Sequence, residues 1–223
     1  MSIYNNSEEL SNQVNECIID FLSETVLTSH YGYQFMSESN ADTAKKTIWE
    51  KVRAFFVKMG GILKNAIRSV VNKIKGNKTK LSNISADDKF ADTTPKKEII
   101  SYNKIFKQAR GLAQFSTKAQ SNEFDENDQA HITNSISELK NNLRDDKEVI
   151  GNRNKKEIVT DLHNHSTVLV SLSQKVLDLF SSKEKNNHTE ESLKTASMIS
   201  QISSILVTLS LQFTVAAESV FRM

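Results

Sequence analysis

Apolar residues recur at three- and four-residue intervals through most of this chain, and each run with that period predicts a helix. Leu10, Val14, Cys17, Ile18, Phe21 and Leu22 mark one over about 8–28, and a second is predicted over about 44–75. Between them "SHYGYQFMSESNAD" is a connector, whose alternating Tyr31, Tyr33 and Phe35 read equally as a short extended piece. Four more helices are expected beyond residue 95. The first, about 95–119, puts Ile99, Ile105, Phe106, Ala109, Leu112 and Ala113 on one side. The next, about 126–147, carries Ile132, Ile136, Leu139 and Leu143, and Gly151 stands beyond it where a left-handed C-terminal cap belongs. The third, about 154–181, repeats Ile158, Leu162, His165, Leu169, Leu172, Val176 and Leu179 in heptad alternation. The last starts near Thr189, with Glu190 and Glu191 close to the positive end of the helix dipole, and runs to about 220.

Residues that interrupt helices are scarce: one proline, Pro95, and six glycines in 223 residues. The expected fold class is therefore all-α. Its architecture is an antiparallel helical bundle with an N-terminal basic amphipathic helical arm. "GNKTKLSNISADDKFADTTP", residues 76–95, is a polar linker dividing the arm (1–75) from a four-helix bundle (96–223). The stretch from Thr195 to Ala217 holds 23 residues without a charge, enough to cross a bilayer. Ten of these are Ser, Thr or Gln, which suits the interior of a bundle or an oligomer interface better than hydrocarbon.

Charge changes the picture. Between Lys45 and Lys80 eleven bases face one acid, Glu50, a net of +10; with +2 for the whole chain, the rest carries −8. On a helical wheel of residues 48–75, Val52, Phe55, Phe56, Met59, Ile62, Leu63, Ala66, Ile67, Val70, Val71 and Ile74 share one side, with Trp49 at its edge. Lys51, Arg53, Lys58, Lys64, Arg68, Lys73 and Lys75 are assigned to the other. Gly60 and Gly61 weaken the middle by roughly 1 kcal/mol each relative to Ala, and offer a hinge or room for a close backbone approach. Three readings stay open: a helix packed on its own bundle with a solvated basic face, a helix lying in a membrane interface, and a cationic face that meets phosphate or an acidic protein surface. The expected partner-binding residues are Trp49, Val52, Phe55, Phe56, Met59 and Ile62, and the expected contacts to an anionic partner are the seven cations.

"TIWEKVRAFFVKMGGILKNAIRSVVNKIKG", with a Trp and then Phe-Phe in a Lys-rich amphipathic helix, resembles segments of the virion structural and internal head proteins of large tailed bacteriophages. The resemblance is compositional and covers about 35 of 223 residues. It implies a non-catalytic virion component, made in the host cytoplasm and packed against other structural proteins, with nucleic acid or a second copy of the chain as further partners and a membrane less so.

The remaining motifs hold no pattern expected of a catalytic constellation. In "DLHNH" a helix sends His163 and His165, two positions apart, to different sides, so they do not chelate one ion; the heptad puts His165 among core positions and His163 elsewhere. "DENDQA" opens like a calcium loop but has Ala130 where glycine is needed and Ile136 where a bidentate Glu is needed. The pairs Asp145–Asp146 and Glu190–Glu191 read as solvated or capping groups. Cys17 is the single cysteine, so no intrachain disulfide forms; a reducing compartment is expected, and the polar, acidic N-terminus signals no export. No metal, no cofactor and no catalysis are expected.

Overall fold

The computed structural model describes residues 98–117, 125–150, 153–183 and 190–222, together with residues 54, 57, 58, 60–62, 64, 65, 67–69, 71–73, 75, 76 and 82. The expected helix over 8–28, Cys17, Trp49, Lys51, Val52, Arg53, Phe55, Phe56, Met59, Gly151, Thr189 and most of the linker lie outside the described residues. The described elements are β1 (Glu98–Ile100), α1 (Tyr102–Phe115), α2 (Glu126–Asp145), β2 (Lys147–Val149), α3 (Lys155–Lys183) and α4 (Glu190–Arg222). Helix dominates. The described positions between 54 and 76 are helical as well.

The two strands correct the expectation of unbroken helices over 95–119 and 126–147. Glu98, Ile99 and Ile100 pair antiparallel with Val149, Glu148 and Lys147. Helix α1 begins only at Tyr102, and α2 stops at Asp145 with Asp146 already extended. The corner between them is tied twice. Ser101 N–H donates to the Asp146 carbonyl at 3.1 Å, and Ser101 Oγ donates to the Asp146 carboxylate at 2.8 Å. β-Branched Ile99, Ile100 and Val149 suit strands, but their partners lie about fifty residues away, so no local period discloses the pairing.

The start of α2 settles the structure of the acidic string "DENDQA". Asp125 accepts from Asp128 N–H at 2.8 Å, and the Asp128 carboxylate accepts from Asp125 N–H at 3.3 Å. This reciprocal capping box satisfies two donors that the first turn leaves orphaned. Asn154 caps α3 in a related way, its side chain accepting from Lys156 N–H at 2.8 Å.

One apolar core joins all four helices: Tyr102, Ile105, Ala109 and Leu112 from α1; Ile132, Ile136 and Leu139 from α2; Ile158, Leu162, Leu169 and Val176 from α3; Ile202, Leu206, Leu209 and Phe213 from α4. Each fully buried Leu, Ile or Phe contributes about 1.5–3 kcal/mol relative to exposure. Ile99 and Ile150 close the core under the two strands. The most extensive contact is between α3 and α4, and α4 also packs on α1 and α2. Gln201–Phe221 is long and apolar enough to span a bilayer, with a mean hydropathy of 1.5, and most of it is buried within the protein.

Candidate functional site

Position along the helix 54–76 sorts its side chains sharply. Lys58, Lys64, Asn65, Arg68, Ser69, Asn72 and Lys75 are exposed, Ile62 and Val71 are half-buried, and Ile67 is buried at 9%. Val57, at 66%, is exposed among the cations. No carboxylate occurs from Lys51 to Ala86, so nothing in the local sequence neutralises this flank. Lys73 departs from the expected assignment: it is half-buried, with its Nζ covered. At 100° per residue it falls between Ile62 and Ala66, on the apolar side. Among the described residues nothing lies within 4 Å of where a Cβ would stand at Gly60 or Gly61.

A second polar constellation sits where the strands meet α1 and α3, and the sequence did not disclose it. Buried Tyr102 is its centre. Arg153 donates to Tyr102 Oη, pairs with Glu148 at 3.2 Å and reaches Asp161 at 3.5 Å. The Tyr102 hydroxyl donates to Asp161 at 3.4 Å. Burial pushes the Tyr102 phenol up to about 12, against the downward pull of the Arg153 charge. Burial also raises the Glu148 carboxyl, and Arg153 opposes it. Just outside, Lys104 bonds to Asp146 and, with Ser101, holds that carboxylate below its usual range. The group ties β2, α1 and α3 together.

Around Tyr102 the rings of Phe106, His165 and Phe213 gather. His165 stacks on Phe106 with centroids 3.9 Å apart and stands 5.8 Å from Tyr102. Burial lowers the His165 pKa, and Asp161 one turn earlier pulls it partly back. His163, expected away from the core, is the more buried of the two at 3%, while His165 is half-buried. The reason is tertiary: α3 is covered by α4 and also by α1, so it buries more than one heptad stripe. Among the described residues no group of three His, Cys, Asp or Glu is arranged to hold a metal ion.

The α3–α4 seam is polar at its heart. Ser166 and Ser210 lie with hydroxyls 2.6 Å apart, Thr214 Oγ1 is 3.0 Å from Ser166 Oγ, and Ser173 and Ser203 repeat the contact at 2.7 Å. Partner numbers fall along α4 as they rise along α3, so the two helices run antiparallel. Ser203, Ser210 and Thr214 thus place three of the uncharged polar side chains of α4 against α3.

No family model, curated protein or solved structure matches the chain.

Proposed function

We propose that this chain is a non-catalytic assembly protein. In this reading residues 96–223 are an antiparallel four-helix bundle, and residues 1–75 are a basic helical arm joined to it by the linker 76–95. The apolar side of the arm docks on protein, and its cations meet an anionic partner. The observation that carries the reading is the split within 54–76, where Ile67 is buried while Lys58, Lys64, Arg68 and Lys75 are exposed. A covered apolar side needs a protein surface against it, and a basic stretch with no carboxylate in the sequence from Lys51 to Ala86 favours a partner of opposite sign.

The described polar clusters support a scaffold over an enzyme. Arg153, Tyr102, Asp161 and Glu148 bond to one another, and the acids at 125 and 128 are spent on a helix cap. The assembly we have in mind is a virion, with other structural proteins or a second copy of the chain as neighbours; that step rests on the resemblance of residues 47–76 alone. Cross-linking and mass spectrometry of the native particle test it. Cross-links from this chain to other structural proteins are expected, and a chain recovered only as a free monomer counts against it.

A second reading, a membrane-interacting effector, has one observation in its favour, the apolar length of Gln201–Phe221. It requires that helix to leave the core it shares with α1, α2 and α3. Flotation with vesicles rich in phosphatidylserine separates the two: co-flotation of the full chain favours the effector, and its absence favours the assembly protein.

A further inference from the structure

The partner of the cationic flank can be narrowed by chemistry. At 100° per residue, Lys64, Arg68 and Lys75 lie within about 40° of one line, and they span about 16 Å along the axis. Lys58 stands almost two turns further along the axis, turned about 100° from that line. The exposed side chains between them, Asn65, Ser69 and Asn72, are neutral and carry N–H or O–H donors. Among the described residues of this flank, then, the exposed polar groups are cations or neutral donors, and the segment itself carries no carboxylate.

Three classes of polyanion would answer that charge. A protein interface of ordinary strength is anchored by aromatic side chains and Arg and is poor in Lys, because a strongly hydrated ammonium on a long flexible stem is expensive to desolvate and order. Here three of the four exposed cations are Lys, and the one exposed large apolar side chain among the described residues of the flank is Val57. A membrane surface would be met by an amphipathic helix through its apolar side. In this segment Ile67 is buried and Ile62 and Val71 are half-buried, so that side is engaged already. Phosphates of a nucleic acid chain remain. They accept from Lys as a point charge, and from Arg, Asn and Ser as hydrogen-bond donors, without requiring any of these groups to leave water fully.

From this we infer that the exposed flank of residues 58–75 binds the phosphate backbone of nucleic acid, without reading its sequence. This rests on the arm being partner-facing, as proposed above, and goes beyond it in naming the partner. Sequence independence follows from the side chains available: no aromatic ring is exposed among the described residues of the segment to stack on a base.

The test uses the full chain, titrated by fluorescence anisotropy against a short duplex DNA and a single-stranded RNA, each in two unrelated sequences. Four phosphate contacts predict a slope of log affinity against log salt of about −3.6 on duplex DNA, so affinity falls roughly a hundredfold between 50 and 200 mM salt. The variant Lys64→Gln/Arg68→Gln/Lys75→Gln, checked by circular dichroism for retained helix, should bind at least about tenfold more weakly, with a slope shallower by about 2.7. Three outcomes overturn the inference. One is no binding to either polymer at 50 mM salt, and another is binding whose salt slope the triple variant leaves unchanged. The third is a preference of more than about tenfold between the two sequences, which base readout would produce. If the chain instead binds polyglutamate or phosphatidylserine vesicles and neither nucleic acid, the partner named here is wrong. The assembly reading is judged separately, by the particle cross-links.

Discussion

Ser166 on α3 and Ser210 on α4 each reach the other's backbone: Ser166 Oγ stands 2.9 Å from the Ser210 carbonyl, and Ser210 Oγ stands 2.8 Å from the Ser166 carbonyl. Each hydroxyl has one proton to place, on the opposing carbonyl or on the opposing hydroxyl 2.6 Å away. Ser173 and Ser203 make the same exchange one heptad along, at 3.1 and 3.3 Å to the carbonyls. Such mutual reach needs two backbones that approach closely, and only small side chains at the seam allow it. The sites therefore select for size as well as for polarity.

Ser210→Ala keeps the size and removes the exchange, and should lower stability by about 1 kcal/mol, because Ser166 retains Thr214 as a partner. Ser210→Leu should cost more, about 1–3 kcal/mol or beyond, through forced separation of the helices. Urea denaturation of the two variants checks the order. Equal losses would mean that the seam is not sterically closed.

Tyr102→Phe should cost about 1 kcal/mol in urea denaturation, since Arg153 keeps Glu148 and Asp161 while losing the phenol oxygen. Tyr102→Ala empties a fully buried site and should cost about 3–5 kcal/mol. The chain has four tyrosines, and in a spectrophotometric titration Tyr102 should ionise last, near 12. Its raised pKa favours the neutral phenol in the fold. That stability is fully present below about 10 and is lost as pH rises towards 12.

His165 gives the opposite dependence. Burial against Phe106 depresses its pKa below the usual 6.5, so the unfolded chain binds a proton more readily than the folded one. The stability involved is complete above pH 6.5 and declines as pH falls from there towards the folded value. Asp161, one turn away, moderates the effect, and Tyr102 beside the ring is neutral in this range. Thermal midpoints measured between pH 7 and 5 should fall more steeply in the natural chain than in His165→Phe. Parallel curves would remove His165 as the source.

Asp125→Ala breaks the capping box of α2 and should lower stability by about 0.5–2 kcal/mol. Calcium titrated onto the natural chain, followed by calorimetry, should give no heat at this string. Saturable binding abolished by Asp125→Ala would show that the carboxylates do more than cap.

How much of this was legible beforehand follows from the range of each interaction. Leu139, Leu162, Leu169 and Val176 announced themselves because helical burial is periodic, and periodicity is local. Ile99 was legible as an apolar position but not as part of a strand, because a strand of three residues exists only through its partner near Glu148. Within the basic segment the sorting into an apolar and a cationic side was plain, although Lys73 had to be moved from one to the other. The Tyr102–Arg153 bond joins residues separated by 51 positions and left no mark in spacing or composition.

The sequence by itself determined that helices dominate, roughly where four of them lie, which of their faces are apolar, and that positive charge is concentrated before residue 80. These properties depend on neighbours three or four residues apart, or on a simple count. Only the tertiary structure decided that a strand precedes α1, that His163 is buried more deeply than His165, and that the Ser203 and Ser210 hydroxyls of α4 face α3. Each of those depends on which surfaces meet across the core, a choice governed by the packing of the whole chain and written in no single stretch of it.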